Sequence, residues 1–248
     1  MTSSGPQSEK SLIVPEKDLA AFRGVDAWVF DLDNTLYPAE ADLFSQIRDR
    51  ITDYVAQLLK LPRDEAQLKQ RDYFRTYGTT MRGLVVEHDI NAAEFLAFVH
   101  DIDYSPVAQN TALAEALVAL PGKKFIFTNG DRPHAERTTA ALGISGLFDD
   151  IFDIVAADLL PKPALPAYEK FFAHTGVAPE HAAMFEDMPR NLDVPHQLGM
   201  RTTLVVSKAL GERGARPTQD ADGKPHGVDF LTQDLAAFLG IIGKALRS

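Results

Sequence analysis

The chain has 248 residues, of which 45% are hydrophobic and 24% charged, a balance typical of a globular protein with a sizeable core. It contains no cysteine, which excludes disulfides, zinc–thiolate sites and a cysteine nucleophile, and which suits a cytoplasmic location. Its formal net charge of -10 disfavours binding to a nucleic acid polymer but does not exclude a small anionic substrate beside a bound cation.

The first 22 residues are predicted to be an N-terminal tail. They begin with a polar stretch that is rich in Ser and lacks the apolar segment of a signal peptide. No apolar run elsewhere is long enough to span a bilayer, so a membrane is not an expected partner.

Five short apolar segments, each bounded by polar or turn residues, predict strands buried on both faces of a parallel sheet. They are residues 27–30, 124–127, 151–155, 182–185 and 203–206. Helical patterns alternate with the later strands, and each ends just before a glycine. They are residues 134–142, 165–175 and 192–198. This alternation predicts a doubly wound, Rossmann-like α/β sheet.

The interval between the first two strands shows helical patterns only. It is far longer than the dozen or so residues that a crossover needs. Residues 38–108 are therefore predicted to form an all-helical cap inserted after the first strand, with Asn91 and Glu94 as a capping box. The core then comprises residues 23–37 and 109–248, and residues 211–227 are predicted to form a surface loop.

Acidic pairs follow two of the predicted strands at their carboxyl ends, where open α/β sheets bind ligands. Asp31 and Asp33 follow the first strand, and Glu186 and Asp187 follow the fourth. Paired carboxylates beside a buried strand are costly unless a hard cation compensates them. Each pair taken alone also fits a simpler interpretation, a solvated turn for the first and a helix start for the second.

Two weaker signals follow other strands. Thr128, Asn129 and Gly130 offer a hydroxyl, an amide and a flexible backbone for phosphate oxygens, although Asn-Gly is also a common turn. Lys162 lies between two prolines, which favour an extended backbone and place its ammonium to meet an anion. A solvated loop lysine is the simpler interpretation of that residue in isolation.

The order of these signals is more specific than any one of them. Acid pair, Thr-Asn, lysine and acid pair follow one another along the chain. This order resembles the haloacid dehalogenase-like superfamily, and the resemblance covers nearly the whole chain after about Val25. It implies a Rossmann-like core, a mobile helical cap between the first and second motifs, and Mg²⁺ as the cofactor.

The resemblance also implies a role for each site residue. Asp31 would be the nucleophile that forms an aspartyl-phosphate, and Asp33 the general acid and base. Thr128 and the backbone near Asn129 would hold phosphate oxygens, and Lys162 would neutralise the phosphate and orient the nucleophile. The magnesium ligands would be Asp31, Glu186, Asp187 and the backbone carbonyl of Asp33.

Within the superfamily, Asp33 favours phosphate chemistry, because the dehalogenases lack a second aspartate at that position. Residues 77–84 of the cap and residues 185–192 resemble the pyrimidine 5′-nucleotidase branch. Met81 and Met188 depart from that branch, which usually has leucine and serine there. An interhelical turn is the alternative for the cap segment. Its candidate specificity residues are Thr79, Thr80 and Arg82.

The sequence therefore predicts a Mg²⁺-dependent hydrolase of phosphomonoesters, acting on pyrimidine nucleoside 5′-monophosphates. Two alternatives stay open: a phosphatase of sugar phosphates or phosphoglycolate with the same mechanism, and a non-catalytic binding protein on the same fold. The expected partner is a small phosphate ester. The seven histidines show no metal-ligand spacing, and most are expected at the surface or an interface.

Overall fold

The computed structural model describes residues 16–206 and 226–247. Their strands form one six-stranded sheet in the order β3-β2-β1-β4-β5-β6, with every pairing parallel. The strands are β1 Ala27–Phe30, β2 Lys123–Phe127, β3 Asp150–Phe152, β4 Ala182–Glu186, β5 Arg201–Val205 and β6 Phe230–Thr232. The predicted Rossmann-like α/β class is confirmed.

The five predicted strands correspond to β1 through β5, with one clear difference in length. The third strand ends at Phe152 instead of residue 155, because the Asp153 carboxylate accepts hydrogen bonds from the backbone N–H groups of Arg132 and Ala156 and holds a turn there. The last strand, β6, was not predicted because three residues carry too short a pattern. Most of the predicted loop at 211–227 lies outside the described residues.

Helices cover both faces of the sheet, as a doubly wound fold requires. On β1, Trp28 and Phe30 pack toward one face and Ala27 and Val29 toward the other, and all four are buried. The first face is covered by α5 Thr111–Ala119, α6 Arg132–Leu142 and α9 Leu235–Ala245. The second is covered by α7 Leu165–Thr175 and α8 Asp193–Gln197.

Part of the predicted N-terminal tail packs into the core. Residues Glu16–Phe22 form a 3₁₀ helix, and Leu19 and Phe22 are buried. The Phe22 ring lies 6.1 Å from the Trp28 ring, centroid to centroid. Because these apolar side chains cover the edge of the main core, the tail ends earlier than the predicted limit at residue 22.

Four helices occupy the chain between β1 and α5 and share a hydrophobic core of their own, which includes Val55, Tyr73, Leu84 and Phe95. The Asn91 side chain accepts the N–H groups of Ala93 and Glu94 at the start of the fourth helix, which confirms it as the N-cap, and Glu94 accepts from the Asn91 side chain at 3.4 Å. Among the described residues, no helix has both the length and the hydropathy to cross a lipid bilayer. The four helices are α1 Leu43–Leu59, α2 Arg63–Tyr77, α3 Thr80–His88 and α4 Ala92–Val99.

The residue directly before β2 is a glycine that lies very close to another backbone segment. Gly122 has φ +77°, and a Cβ there would lie 2.1 Å from the backbone oxygen of Asp26. That oxygen also accepts the Lys123 N–H at 2.8 Å, where the pairing of β1 and β2 begins. We expect Gly122→Ala to lower the free energy of unfolding by at least about 2 kcal/mol. Thermal denaturation should show this as a midpoint roughly 4–8 °C lower.

Gly146→Ala is the matched control for that measurement. Gly146 has φ +76°, but nothing lies within 4 Å of an added Cβ, so this variant carries the left-handed strain without the clash. Equal destabilisation in the two variants would show that the approach to Asp26 does not matter.

Candidate active site

The strand order reverses beside β1. The chain runs outward from β1 through β2 to β3 and returns to β4 on the other side of β1. Ligands bind at the carboxyl ends of strands at such a reversal. Asp31 directly follows β1 and Glu186 ends β4, and their neighbours Phe30 and Phe185 are paired across the two strands. The reversal therefore brings the first and fourth motifs together.

Lys162 joins these motifs through a buried ammonium group. The side chain is 1% exposed, and its Nζ lies 2.8 Å from Asp31 Oδ1 and 2.9 Å from Glu186 Oε1. It also donates to the backbone oxygen of Phe127 at 2.8 Å. Burial acts to lower the pKa of this lysine, but the two carboxylates raise it above its ordinary value. The solvated-loop alternative for Lys162 is therefore wrong.

Asp31 is held by both of its carboxylate oxygens. Oδ1 faces Lys162, and Oδ2 accepts the hydroxyl of Thr35 at 3.0 Å. Burial raises the pKa of Asp31, Lys162 lowers it, and Glu186 and Asp33 raise it further, which together bring the pKa to about 7. Additional positive charge beside Asp31 would stabilise the ionised form that a nucleophile needs.

Thr128 and Asn129, the polar side chains of the second motif, have different roles. The Asn129 side chain does not point to a phosphate site: its Oδ1 accepts the Lys162 N–H at 2.8 Å and its Nδ2 donates to the Lys162 oxygen at 3.2 Å. Asn129 therefore fixes the backbone around Lys162, in residues 161–163, which we call the lysine loop. The hydroxyl oxygen of the buried Thr128 accepts the Gly130 N–H at 2.9 Å, which leaves the hydroxyl proton of Thr128 as a donor.

Three carboxyl groups form an acidic cluster at the ends of β1 and β4. One ligand oxygen from each of Asp31, Glu186 and Asp187 lies within 4.8 Å of the others. Burial raises the pKa of Asp187 to about 9, and the charges of Glu186 and Asp31 add to this effect. Hard oxygen donors crowded in this way fit a hard divalent cation, which would relieve their repulsion.

The two acids of the fourth motif are engaged differently. Glu186 Oε1 accepts from Lys162 and from Asn191 Nδ2 at 2.5 Å, and Oε2 accepts the Met188 N–H at 2.6 Å. Both Glu186 oxygens are therefore already bonded within the protein. This geometry leaves Asp187 as the more available metal ligand of the pair.

Asp33 is bonded away from the acidic cluster. Its Oδ1 accepts the Tyr37 hydroxyl at 2.5 Å and lies 2.9 Å from His134 Nε2. Burial acts to raise the pKa of Asp33, but His134 and the hydrogen bonds from His134 and Tyr37 lower it to about 2. In this arrangement Asp33 is ionised and able to accept a proton.

Five of the seven histidines are exposed, as expected for most of them, but two are buried. His134 is 0% exposed and His100 is 4% exposed, and their rings stack with centroids 4.4 Å apart. The sequence carried one usable signal for His134. It follows Gly130 by four residues, within the first turn of α6, so its side chain points back toward the end of β2.

Residues 38–108, which contain helices α1 to α4 and which we call the cap, contact the core beside the lysine loop. The turn between α2 and α3 approaches this loop closely, since a Cβ on Gly78 would lie 3.3 Å from Pro161. The Arg190 guanidinium lies 4.8 Å from the centre of the Phe74 ring of α2. The third and fourth motifs therefore both contact the same end of the cap.

The structure separates the three specificity candidates of that turn. The Thr79 side chain caps α3 by accepting the Arg82 N–H, and the buried Thr80 hydroxyl donates to the backbone oxygen of Gln70. Both threonine hydroxyls thus stabilise the cap itself. Arg82 is partly exposed beside them, and a guanidinium is a group suited to binding anions.

Comparison with known sequences gives two findings. A family model described as a haloacid dehalogenase-like hydrolase matches residues 25–199. The chain is also 30% identical over 134 residues to Phosphate metabolism protein 8 of Saccharomyces cerevisiae, a match covering 49% of this chain and 41% of that protein. The aligned region therefore spans about two fifths of the yeast relative.

Comparison with solved structures supports the same fold. A HAD phosphatase from Thermococcus onnurineus superposes with a TM-score of 0.57 at 17% identity, covering 88% of this chain and 98% of that one. An L-2-haloacid dehalogenase from Xanthobacter autotrophicus superposes with a TM-score of 0.52 at 17% identity, covering 90% and 98%. At these identities the likeness shows the fold alone.

Proposed function

The chain belongs to the haloacid dehalogenase-like hydrolases, and within that family we propose that it hydrolyses phosphomonoesters with Asp31 as the nucleophile. The observation that carries this proposal is the Asp31 carboxylate, fixed between Lys162 and Thr35 at the end of β1. A positioned carboxylate beside a buried cation is suited to attack an anionic phosphate.

The proposed reaction has two displacement steps at phosphorus. In the first, an Asp31 oxygen bonds to phosphorus as the ester P–O bond breaks, and Asp33 gives its proton to the leaving alcohol. In the second, Asp33 takes a proton from water, whose oxygen displaces Asp31 and releases orthophosphate. The first step requires the protonated form of Asp33, and like-charge repulsion from a bound phosphate ester would favour that form.

Phosphate binding is assigned to groups beside the nucleophile. Lys162 supplies a full positive charge within 2.8 Å of Asp31. The Thr128 hydroxyl and the backbone N–H groups after it supply neutral donors, whereas the Asn129 side chain holds the lysine loop. These groups oppose the repulsion between the carboxylate and the incoming phosphate.

Mg²⁺ is the proposed cofactor. Asp31 and Asp187 would ligate it through carboxylate oxygens and Asp33 through its backbone carbonyl, with Glu186 acting mainly through its bonds to Lys162 and Asn191. When bound, the cation would neutralise charge on the phosphate and on the acidic cluster. Oxygen ligands of this kind are those that Mg²⁺ prefers.

The cation should stabilise the fold in a pH-dependent way. Without it, Asp31 and Asp187, with pKa values raised to about 7 and about 9, favour the folded state at low pH. That contribution is present below the unfolded pKa of 3.8 and is lost as pH rises through the folded values. Protons compete with the cation for these oxygens, so we expect Mg²⁺ to raise the thermal midpoint more at pH 8 than at pH 6.

Differential scanning fluorimetry with Mg²⁺ and with EDTA at both pH values measures this effect. Asp187→Asn should reduce the Mg²⁺-dependent shift at pH 8, whereas Asp101→Asn, an exposed cap residue with an 81% exposed side chain, should leave it unchanged. A shift that is equal at both pH values would contradict the assignment of the cation to these carboxylates.

We assign the substrate to the pyrimidine nucleoside 5′-monophosphates. The resemblance of residues 77–84 and 185–192 to that branch supports this choice, and so does the position of the α2–α3 turn, where Gly78 meets Pro161 of the lysine loop. Arg82 is the cap residue proposed to contact the substrate. We place this activity in the cytoplasm, which the cysteine-free composition suits.

The test is phosphate release with Mg²⁺ and with EDTA from UMP, CMP, dTMP, AMP, GMP, phosphoglycolate and several sugar phosphates. Mg²⁺-dependent preference for the pyrimidine nucleotides is the expected result. Activity mainly on phosphoglycolate or sugar phosphates would retain the mechanism and replace the substrate class. No release from any of these esters would favour the non-catalytic alternative.

A further inference from the structure

The general acid and base is bonded through only one of its two carboxylate oxygens. Tyr37 and His134 both contact Oδ1 of Asp33, at 2.5 and 2.9 Å. Within residues 16–206 and 226–247, Oδ2 of Asp33 accepts no hydrogen bond. Two partners on Oδ1 fix the carboxyl plane and leave Oδ2 to meet the oxygen of the leaving group.

The hydrogen bonds around His134 determine where its ring proton lies. Oδ1 of Asp33 is a carboxyl oxygen that already accepts the Tyr37 hydroxyl, so Nε2 of His134 must donate to it. The other nitrogen, Nδ1, lies 2.9 Å from the Tyr104 hydroxyl, which is also 3.1 Å from the His100 oxygen. Whether the Tyr104 proton points to Nδ1 or to the His100 oxygen, the Nε2 proton stays on the Asp33 side.

Several close neighbours fix the position of the His134 ring. The His100 ring stacks on it at an interplanar angle of 10°. Gly130 approaches it so closely that an added Cβ would lie 3.1 Å from His134 Cδ2. At the backbone, Asp131 caps α6 by accepting the His134 N–H at 3.0 Å. The ring is therefore packed, stacked and bonded in one orientation.

We propose that His134 is a positioning residue that orients Asp33 for proton transfer to the leaving group and from water. The proposal rests on the proposed phosphatase function, and it adds a residue that the sequence motifs do not include. His134 acts through Asp33 and does not touch the substrate. Loss of the His134 side chain should therefore slow hydrolysis most for esters whose leaving group needs a proton.

The test compares esters with different leaving groups. p-Nitrophenyl phosphate releases an acidic phenol that departs without protonation, whereas an alkyl phosphate releases an alkoxide that needs the proton of Asp33. General acid catalysis contributes about 10²- to 10⁴-fold. We expect His134→Ala to lower kcat/KM for the alkyl ester roughly 10- to 100-fold, and that for p-nitrophenyl phosphate less than about 3-fold.

Turnover of the aryl ester gives a second readout. Because Asp33 also activates the water, His134→Ala should release a burst of p-nitrophenol and then turn over slowly. His134→Gln keeps an N–H donor and should recover much of the loss, and Tyr37→Phe should give the same pattern in weaker form. His174→Gln is the control, because His174 contacts Asp150 at the amino end of β3.

Two results would overturn the proposal: equal losses of kcat/KM for the two esters, or no loss for either. If the unaltered enzyme hydrolyses neither ester, the phosphatase function itself fails. In that case, ¹H–¹⁵N spectra of protein labelled at histidine test the hydrogen bond between His134 and Asp33. A protonated Nε2 of His134 whose signal moves in Asp33→Asn is expected, and an Nε2 signal indifferent to that change would refute the contact.

Discussion

Asp31→Asn is expected to lower kcat by at least about 10⁴-fold, as loss of a nucleophile commonly does. The amide oxygen is a poor nucleophile and carries no charge for a cation. The fold should survive, because the asparagine still accepts from either Lys162 or Thr35, and Glu186 still pairs with the lysine at 2.9 Å. The loss therefore belongs to chemistry and not to unfolding.

Chemical trapping separates this role from simple charge removal. Borohydride reduces an acyl phosphate, so unaltered protein quenched during turnover should contain a modified residue at position 31. Asp31→Asn should contain none, and Asp101→Asn, a matched change in the cap, should behave like the unaltered protein. Near-normal turnover by Asp31→Asn would refute its assignment as the nucleophile.

Lys162→Met is expected to lose both activity and stability. The substitution leaves Asp31 and Glu186 buried together without their shared cation, and breaking a buried ion pair in this way costs about 3–5 kcal/mol. For a chain of this size that corresponds to a thermal midpoint roughly 6–20 °C lower. Activity should fall by about 10³-fold or more, since one electrostatic donor to a developing charge contributes on that order.

The stability loss should depend on pH in a defined direction. In the unaltered protein burial raises the pKa of Asp31 and the Lys162 charge partly offsets this, so that the pKa is about 7. Removing the lysine raises that pKa further, so the folded variant holds its proton more tightly. The variant should therefore lose little stability below the unfolded pKa of 3.8 and progressively more as pH rises toward 8.

A double variant provides the control. Lys162→Met with Glu186→Gln removes one buried charge of each sign, so it should recover much of the stability at pH 8 while remaining inactive. Denaturant unfolding at pH 5 and pH 8 measures both variants. Uniform destabilisation across this pH range, or no recovery in the double variant, would show that the lysine acts through packing instead of charge.

The sequence predicted the sheet well because its strands are buried on both faces. An apolar run such as residues 27–30, bounded by polar residues, has few alternatives in an α/β chain. β6 and the 3₁₀ helix Glu16–Phe22 were missed because segments of three and seven residues carry too little periodicity. The burial of Phe22 depends on contact with Trp28, which no local pattern encodes.

The sequence by itself predicted that the motif residues of the candidate site lie together, although it did not identify Tyr37 or His134. Asp31, Lys162 and Asp187 follow predicted strands, and parallel strands place their carboxyl ends at one edge of the sheet. The alternation of strands and helices in the sequence predicts a parallel sheet, and a parallel sheet brings these residues together.

Only the tertiary structure decided how each side chain is used. Asn129 bonds to the lysine loop instead of pointing to a phosphate site, and both Glu186 oxygens are occupied within the protein. His134 reaches Asp33 across 101 residues of chain. Hydrogen bonds depend on distances and angles between atoms of different elements, and these are fixed only when the helices pack on the sheet.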